Sequence, residues 1–204
     1  MNKNTKIAKE LIKIAKNLIA LDEEGDGSGF QFMIDQNNFE QDQLDAAEKA
    51  GKKYILHHQD KGLWRIQACR EIHAIYRTVK KGDFGGFVES EKNLSQEGEC
   101  WIYGDAKVSG NAWVGDNAGV SGNAWVGDNA KVYENAGVNG DANVYGDACV
   151  HGYANVSSQS QVYGNAMIFD TAWIYGEAKV RDHATVCGEA MIRDGAKVCE
   201  RSIV

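Results

Sequence analysis

The chain has 204 residues, 43% of them apolar and 25% charged, with 22 Lys and Arg against 29 Asp and Glu for a net charge of -7. That is enough chain for one or two packed domains, and the acidic balance excludes a phosphate-binding surface spread over the whole protein, so no nucleic acid is expected as a partner. No apolar run approaches the roughly 20 residues of a membrane span, and the first residues lack the unbroken apolar core of a signal peptide, so neither a transmembrane segment nor secretion by that route is expected.

Five cysteines (Cys69, Cys100, Cys149, Cys187, Cys199) are odd in number and widely spaced, without a CxxC pair. They read as reduced thiols in a cytoplasm, with no metal centre and no bound cofactor expected. Proline is absent and Gly numbers 23, which suits many short strands joined by tight turns.

Residues 1–21 form the first element. Ile7, Leu11, Ile14, Leu18 and Leu21 recur at steps of four and three, which predicts an amphipathic helix, and Lys3, Lys6, Lys9, Lys13 and Lys16 make its other face basic. Packing on its own domain, a short coiled coil with its copies and docking on a protein partner or acidic surface all suit such a helix. Residues 22–53 read as an acidic linker to residue 38, then a short helix with Asn38 as N-cap and Gly51 just past its end. Residues 54–98 switch to short alternating runs such as LWRIQAC and predict a small β-rich cap. Within it Lys81, Gly82 and Asp83 suit a hairpin turn, and Gly85 and Gly86 suit a bulge better than a phosphate nest. His57 and His58 read as surface residues beside a turn.

Residues 99–204 carry a repeat. Every sixth residue from Ile102 to Val204 is Val or Ile, eighteen in all, and the residue two before each is Ala except at Cys100, Ser160 and Ser202. Two residues after each V/I comes Gly or a short polar residue suited to a corner. A period of six is not helical. A short strand plus a corner fits it, with Val and Ala both inward and the residue between them outward. Three such units make a triangular coil, so eighteen hexads make six coils, a prism about 29 Å long at the spacing of paired strands. No C-terminal cap is expected after the last hexad; its edges are expected to be guarded by the charge of Arg193, Lys197, Glu200, Arg201 and the terminal carboxylate, by the N-terminal helix of this or another chain, or by coils meeting end to end.

The order Val108-Ser109-Gly110-Asn111-Ala112-Trp113 resembles the hexapeptide repeat of left-handed parallel β-helix proteins, whose best-known members are trimeric acyl- and acetyltransferases. The junction KKGDFGGFVESEKNLSQEGECWIYGDA is similar to that of YdcK-like β-helix proteins of enterobacteria and phages, a likeness that covers roughly residues 63–204. The resemblance implies left-handed winding, a homotrimer, and a bacterial or phage-infected cytoplasm. It is specific for fold and weak for function.

Counting hexads in threes places Trp113, Lys131, Cys149, Met167, Thr185 and Ile203 on one face, flanked by Tyr133, His151, Phe169 and Cys187. This mainly apolar strip is the expected self-association surface, with Trp113, Tyr133, Cys149, His151, Met167, Phe169 and Ile203 at the interface. Trp101 and Trp173 punctuate a second face, and Trp125, Tyr145 and Tyr163 the third. Three functions stand open. The leading one is a non-catalytic oligomeric scaffold or interaction protein. The first rival is a transferase using acetyl-CoA, with His151 as base, against which stand the unbroken hexads and the lack of a visible orienting group; His183 sits at a corner beside Asp182. The second is a small-molecule binder whose ligand lies between subunits against Tyr133, Tyr145, Tyr163 and Phe169.

Overall fold

The computed structural model describes residues 28–59 and 62–204, so the amphipathic seam of Ile7, Leu11, Ile14, Leu18 and Leu21 lies outside the described residues. The described chain is mainly β: one helix, a small cap and a parallel β-solenoid. It divides into two compact units, the first ending at Ala46 and the second Ala47–Val204. No helix among the described residues is long and apolar enough to cross a membrane.

The helix α1 spans Ser28–Lys49, which corrects the expected linker over residues 28–38 and the N-cap at Asn38. The apolar period starts upstream, at Phe30, Met33 and Ile34, and the glycines at 25, 27 and 29 mask it in the sequence. The helix stops where expected. Gly51 takes φ 76, and the N–H groups of Gly51 and Lys52 bond the carbonyls of Glu48 and Ala47, a glycine C-cap that satisfies the last turn.

Five strands form the cap: β1 (Tyr54–His58), β2 (Trp64–Ala68), β3 (Ile72–His73), β4 (Thr78–Val79) and β5 (Phe84–Val88). β1, β2 and β5 pair antiparallel in that order, and β3 pairs with β4 as a small hairpin. Lys81 to Asp83 do make a tight turn, with Gly82 at φ 87, but it joins β4 to β5, which do not pair with each other. Gly85 and Gly86 form the expected bulge, since Arg65 faces Phe87 while Gln67 faces Phe84. Their lack of a side chain has a further reason. A Cβ on Gly85 would lie 2.5 Å from the Ile102 carbonyl oxygen, and one on Gly86 2.5 Å from that of Ala106. Only bare backbone fits so close to the solenoid.

That closeness lets β5 pair parallel with Lys107–Val108, Val88 beside Val108, so the cap and one solenoid sheet form a single nine-stranded sheet. Leu94 bridges Val114 in the same manner on the next sheet. The inward column therefore begins inside the cap at Val88 and Leu94, both buried, ahead of residue 99. Buried Asn93 fixes the junction, its amide donating to the carbonyls of Gly110 and Ala112.

From Trp101–Ile102 to Lys197–Val198 seventeen two-residue strands follow at a period of six, stacked in three parallel sheets. Val or Ile and the preceding Ala point inward and are buried on coil after coil. The exceptional polar inward residues are satisfied: the Ser160 hydroxyl donates to the Ser157 carbonyl at 2.7 Å. Corners turn through the left-handed region at Gly and, almost as often, at other residues such as Asp116, Asp128, Glu134, Asp170 and Asp182. An acid there has its own purpose. Its carboxylate accepts an N–H from the next coil, as Asp128 does from Gly146 at 3.0 Å and Asp170 from Gly188 at 3.0 Å.

Under the cap, buried Lys53 donates to the Glu97 and Cys100 carbonyls and contacts Cys100 Sγ, each at 3.1 Å. Burial lowers the Lys53 pKa and raises that of Cys100. Beside it the Tyr54 hydroxyl donates to the Leu94 carbonyl at 2.6 Å, and burial, foremost, raises its pKa far above the ordinary value. The folded state thus holds this proton more tightly than the unfolded chain. Its stabilisation is whole below the unfolded tyrosine pKa of about 10 and is lost as pH rises above it. Denaturant midpoints across that range should fall with pH in the native protein, and the slope should flatten in Tyr54→Phe, which should also lose about 1 kcal/mol at neutral pH.

Candidate functional site

The outward positions are set by the strand period. Trp113, Lys131, Cys149, Met167 and Thr185 lie side by side on one five-stranded parallel sheet, and Ile203 bridges Thr185 at its end. The sequence grouping of this face is therefore the observed one. Its exposure is uneven: Met167 and Ile203 stand out at 44% and 78%, whereas Trp113 and Cys149 are half-buried by their neighbours.

The residues after each inward Val or Ile build a column of rings on the same face. Tyr133 and His151 stack with centroids 4.9 Å apart and planes 1° from parallel, and His151 and Phe169 follow at 5.2 Å and 14°. Trp113 joins from below, 6.3 Å from Tyr133, although it sits two residues earlier in its coil. Gly115 makes this possible, since a Cβ there would land on the Trp113 ring. The indole fills the space that Gly115 leaves empty.

A second column repeats the device on the nine-stranded sheet. Trp125 lies over Gly127, stacks on Tyr145 at 5.7 Å, and Tyr145 stacks on Tyr163 at 5.0 Å and 3°. Trp125 Nε1 donates to the Ser109 hydroxyl at 2.9 Å. The repeated letters WVGDNA thus hold a matched pair, a large ring and the glycine that accommodates it. The four residues named for a ligand accordingly fall into two groups, Tyr133 with Phe169 and Tyr145 with Tyr163, on different sheets.

Chemistry at the first column centres on His151. Its Nδ1 lies 3.5 Å from Glu134 Oε2, which also accepts the Gly152 N–H at 2.7 Å. The sequence reading named no carboxylate beside His151; the signal for Glu134 was the period, because it stands one coil below Gly152. Cys149 Sγ donates to the Tyr133 hydroxyl at 3.6 Å, and the Tyr133 pKa is pushed up to about 12, by desolvation first and then by Cys149. His183 is exposed at its corner, and its neighbour Asp182 pairs with Arg181 at 3.0 Å. His57 is less free than its turn position suggested: Nε2 lies 2.7 Å from Gln67 Oε1, and the ring packs edge-on against Phe84.

Two shallow surface depressions lie elsewhere. One, of about 360 Å³, is lined by Gln59, Leu63, Phe87, Asp105 and Lys107, and the other, of about 400 Å³, by Asp141, Asn143, Gln159, Gln161, Glu177 and Lys179. Neither includes His151. Among the described residues no group of three His, Cys, Asp or Glu is placed to hold a metal ion.

The remaining sheet differs from the other two. Its outward residues in coil order are Trp101, Gly119, Gly137, Asn155, Trp173 and Met191. The β3–β4 hairpin lies across its first coils, with Ile75 over Gly119 and the Tyr76 hydroxyl 2.5 Å from where a Gly137 Cβ would stand. Tyr76 packs against Tyr103 with centroids 5.5 Å apart and planes tilted by 56°, and Trp101 is buried beneath, edge-on to Tyr54. The sequence reading missed this docking. Its signal was glycine at two successive outward positions of one face.

Residues 160–176 match a family model described as the YdcK beta solenoid repeat, a stretch that contains the strands Gln161–Val162, Met167–Ile168 and Trp173–Ile174, one on each sheet. No curated protein matches the chain. The ring columns supply a direct test of the packing: Gly115→Ala should swing Trp113 off its seat, shift tryptophan emission to longer wavelength and cost about 1 kcal/mol in chemical unfolding, because a side chain rather than backbone gives way.

Proposed function

We propose that this YdcK-like β-solenoid repeat protein is a non-catalytic oligomeric scaffold, a rigid rod that presents fixed ladders of side chains to its own copies and to partner proteins. The observation that carries the reading is the unbroken run of two-residue strands from Trp101 to Val198, which holds each outward side chain at a set height and face. A homotrimer built on the strip from Trp113 to Ile203, with the left-handed winding and triangular coil of hexapeptide-repeat proteins, is the assembly we favour. Exposed Met167 and half-buried Phe169 are its central contacts. The five cysteines are free thiols, which suits the cytoplasm of a bacterial or phage-infected cell. Replacing Met167 and Phe169 together by Glu should dissociate the trimer, as read by light scattering, while the far-ultraviolet β signal persists. Unchanged mass would remove this face from the assembly.

One contact favours a second reading. A histidine with a carboxylate on Nδ1 can serve as a general base through Nε2, so the His151–Glu134 pair keeps acyl transfer from acetyl-CoA in view. On the scaffold reading acetyl-CoA should leave the melting temperature of the native protein and of His151→Ala equally unmoved. A stabilisation by acetyl-CoA that disappears in His151→Ala, accompanied by acyl transfer to an amine acceptor, would establish the transferase instead.

A further inference from the structure

The sheet that begins at Trp101 carries a strip of exposed apolar side chains that the strip from Trp113 to Ile203 does not explain. At one end stand Ile75 and Tyr76 of the hairpin, 43% and 40% exposed, and at the other Trp173 and Met191, 52% and 64% exposed. The two ends differ in height. The hairpin adds a layer over Gly119 and Gly137, while Trp173 and Met191 project from the bare sheet. Asn155 lies between them, one strand from Gly137 and one from Trp173.

These positions are self-complementary. Counted along the sheet, Gly137 and Trp173 flank Asn155 at one coil's distance, and Gly119 and Met191 at two. We propose that a second copy of this chain packs on this face in antiparallel orientation, about a two-fold axis at Asn155. Tyr76 of each copy then meets Trp173 of the other, Ile75 meets Met191, and the two Asn155 amides face each other. The raised end of one molecule fills the low end of its partner, and each apolar residue meets an apolar residue, as an isologous interface requires. Parallel packing in register would set hairpin on hairpin and leave Trp173 and Met191 across a gap. The central Asn pair is the polar element that fixes register in an otherwise apolar contact, as a buried Asn does between helices.

This surface adds to the scaffold reading and does not depend on the strip from Trp113 to Ile203, so the two are tested apart. The full chain, the Trp173→Glu/Met191→Glu variant and the Met167→Glu/Phe169→Glu variant are weighed by native mass spectrometry, with circular dichroism as the check on folding. The first variant should have half the native mass, whatever the second does. Asn155→Cys treated with a short bis-maleimide should yield a 155–155 cross-link between chains in its peptide map, because a residue on a two-fold axis meets its own copy. Equal masses for the native protein and the Trp173/Met191 variant would overturn the pairing and leave this face to a different protein partner. A halved mass without the 155–155 cross-link would overturn the register.

Discussion

Each coil must repeat after eighteen residues, and the backbone enforces it. The N–H of Trp113 bonds the carbonyl of Ala130 at 2.9 Å and that of Gly115 bonds Val132 at 3.0 Å, a pattern that recurs along the solenoid. Backbone groups lying against a dry interior must be paired, so a coil one residue too long would strand a row of donors and acceptors and turn its side chains inside out. The inward Val and Ala, the corner residue at positive φ and the acid that accepts an N–H from the coil above all serve that single register.

Because the interior is filled by small aliphatic side chains, functional variety is left to the outside. There the protein builds by complementary neighbours. An indole covers a glycine, rings stack at the spacing of the coils, and a hairpin seats on two glycines of an otherwise ordinary sheet. The chains of Asn and Asp amides and carboxylates that climb the corners, such as Asn111 to Asn129 to Asp147 at 3.1 and 3.0 Å, extend the principle to polar groups. What such a surface does well is present extended, rigid relief, which suits recognition of another solid surface better than enclosure of a small reactant.

The solenoid was readable because a period of six with a small-x-branched triplet has few structural solutions, and the grouping of residues into three faces followed from counting. Three things escaped. The helix from Ser28 was hidden by glycines whose local preference the apolar spacing overrides. The start of the inward column at Val88 and Leu94 was hidden because two extra residues separate Leu94 from Ile102, so the sixfold count fails to connect them. The hairpin on Gly119 and Gly137 required knowing which distant segment returns to the sheet, a long-range fact that a local repeat does not contain. For the site, stacking of Tyr133, His151 and Phe169 followed from the period. The Glu134 contact was one coil away and equally countable, yet it depends on a side-chain direction that spacing leaves open.

The pairing of each coil with the next, combined with a cap that grips the first coil and reaches Gly119 and Gly137 on the two after it, has a mechanical outcome. Tension applied along the rod would load the coils in series, and those beyond the hairpin are held by the backbone bonds to their neighbours. Chain would leave the rod a coil at a time, each event freeing about 60 Å of extended backbone. Under load the molecule is a graded extensible element that yields in even steps while the coils gripped by the cap stay folded.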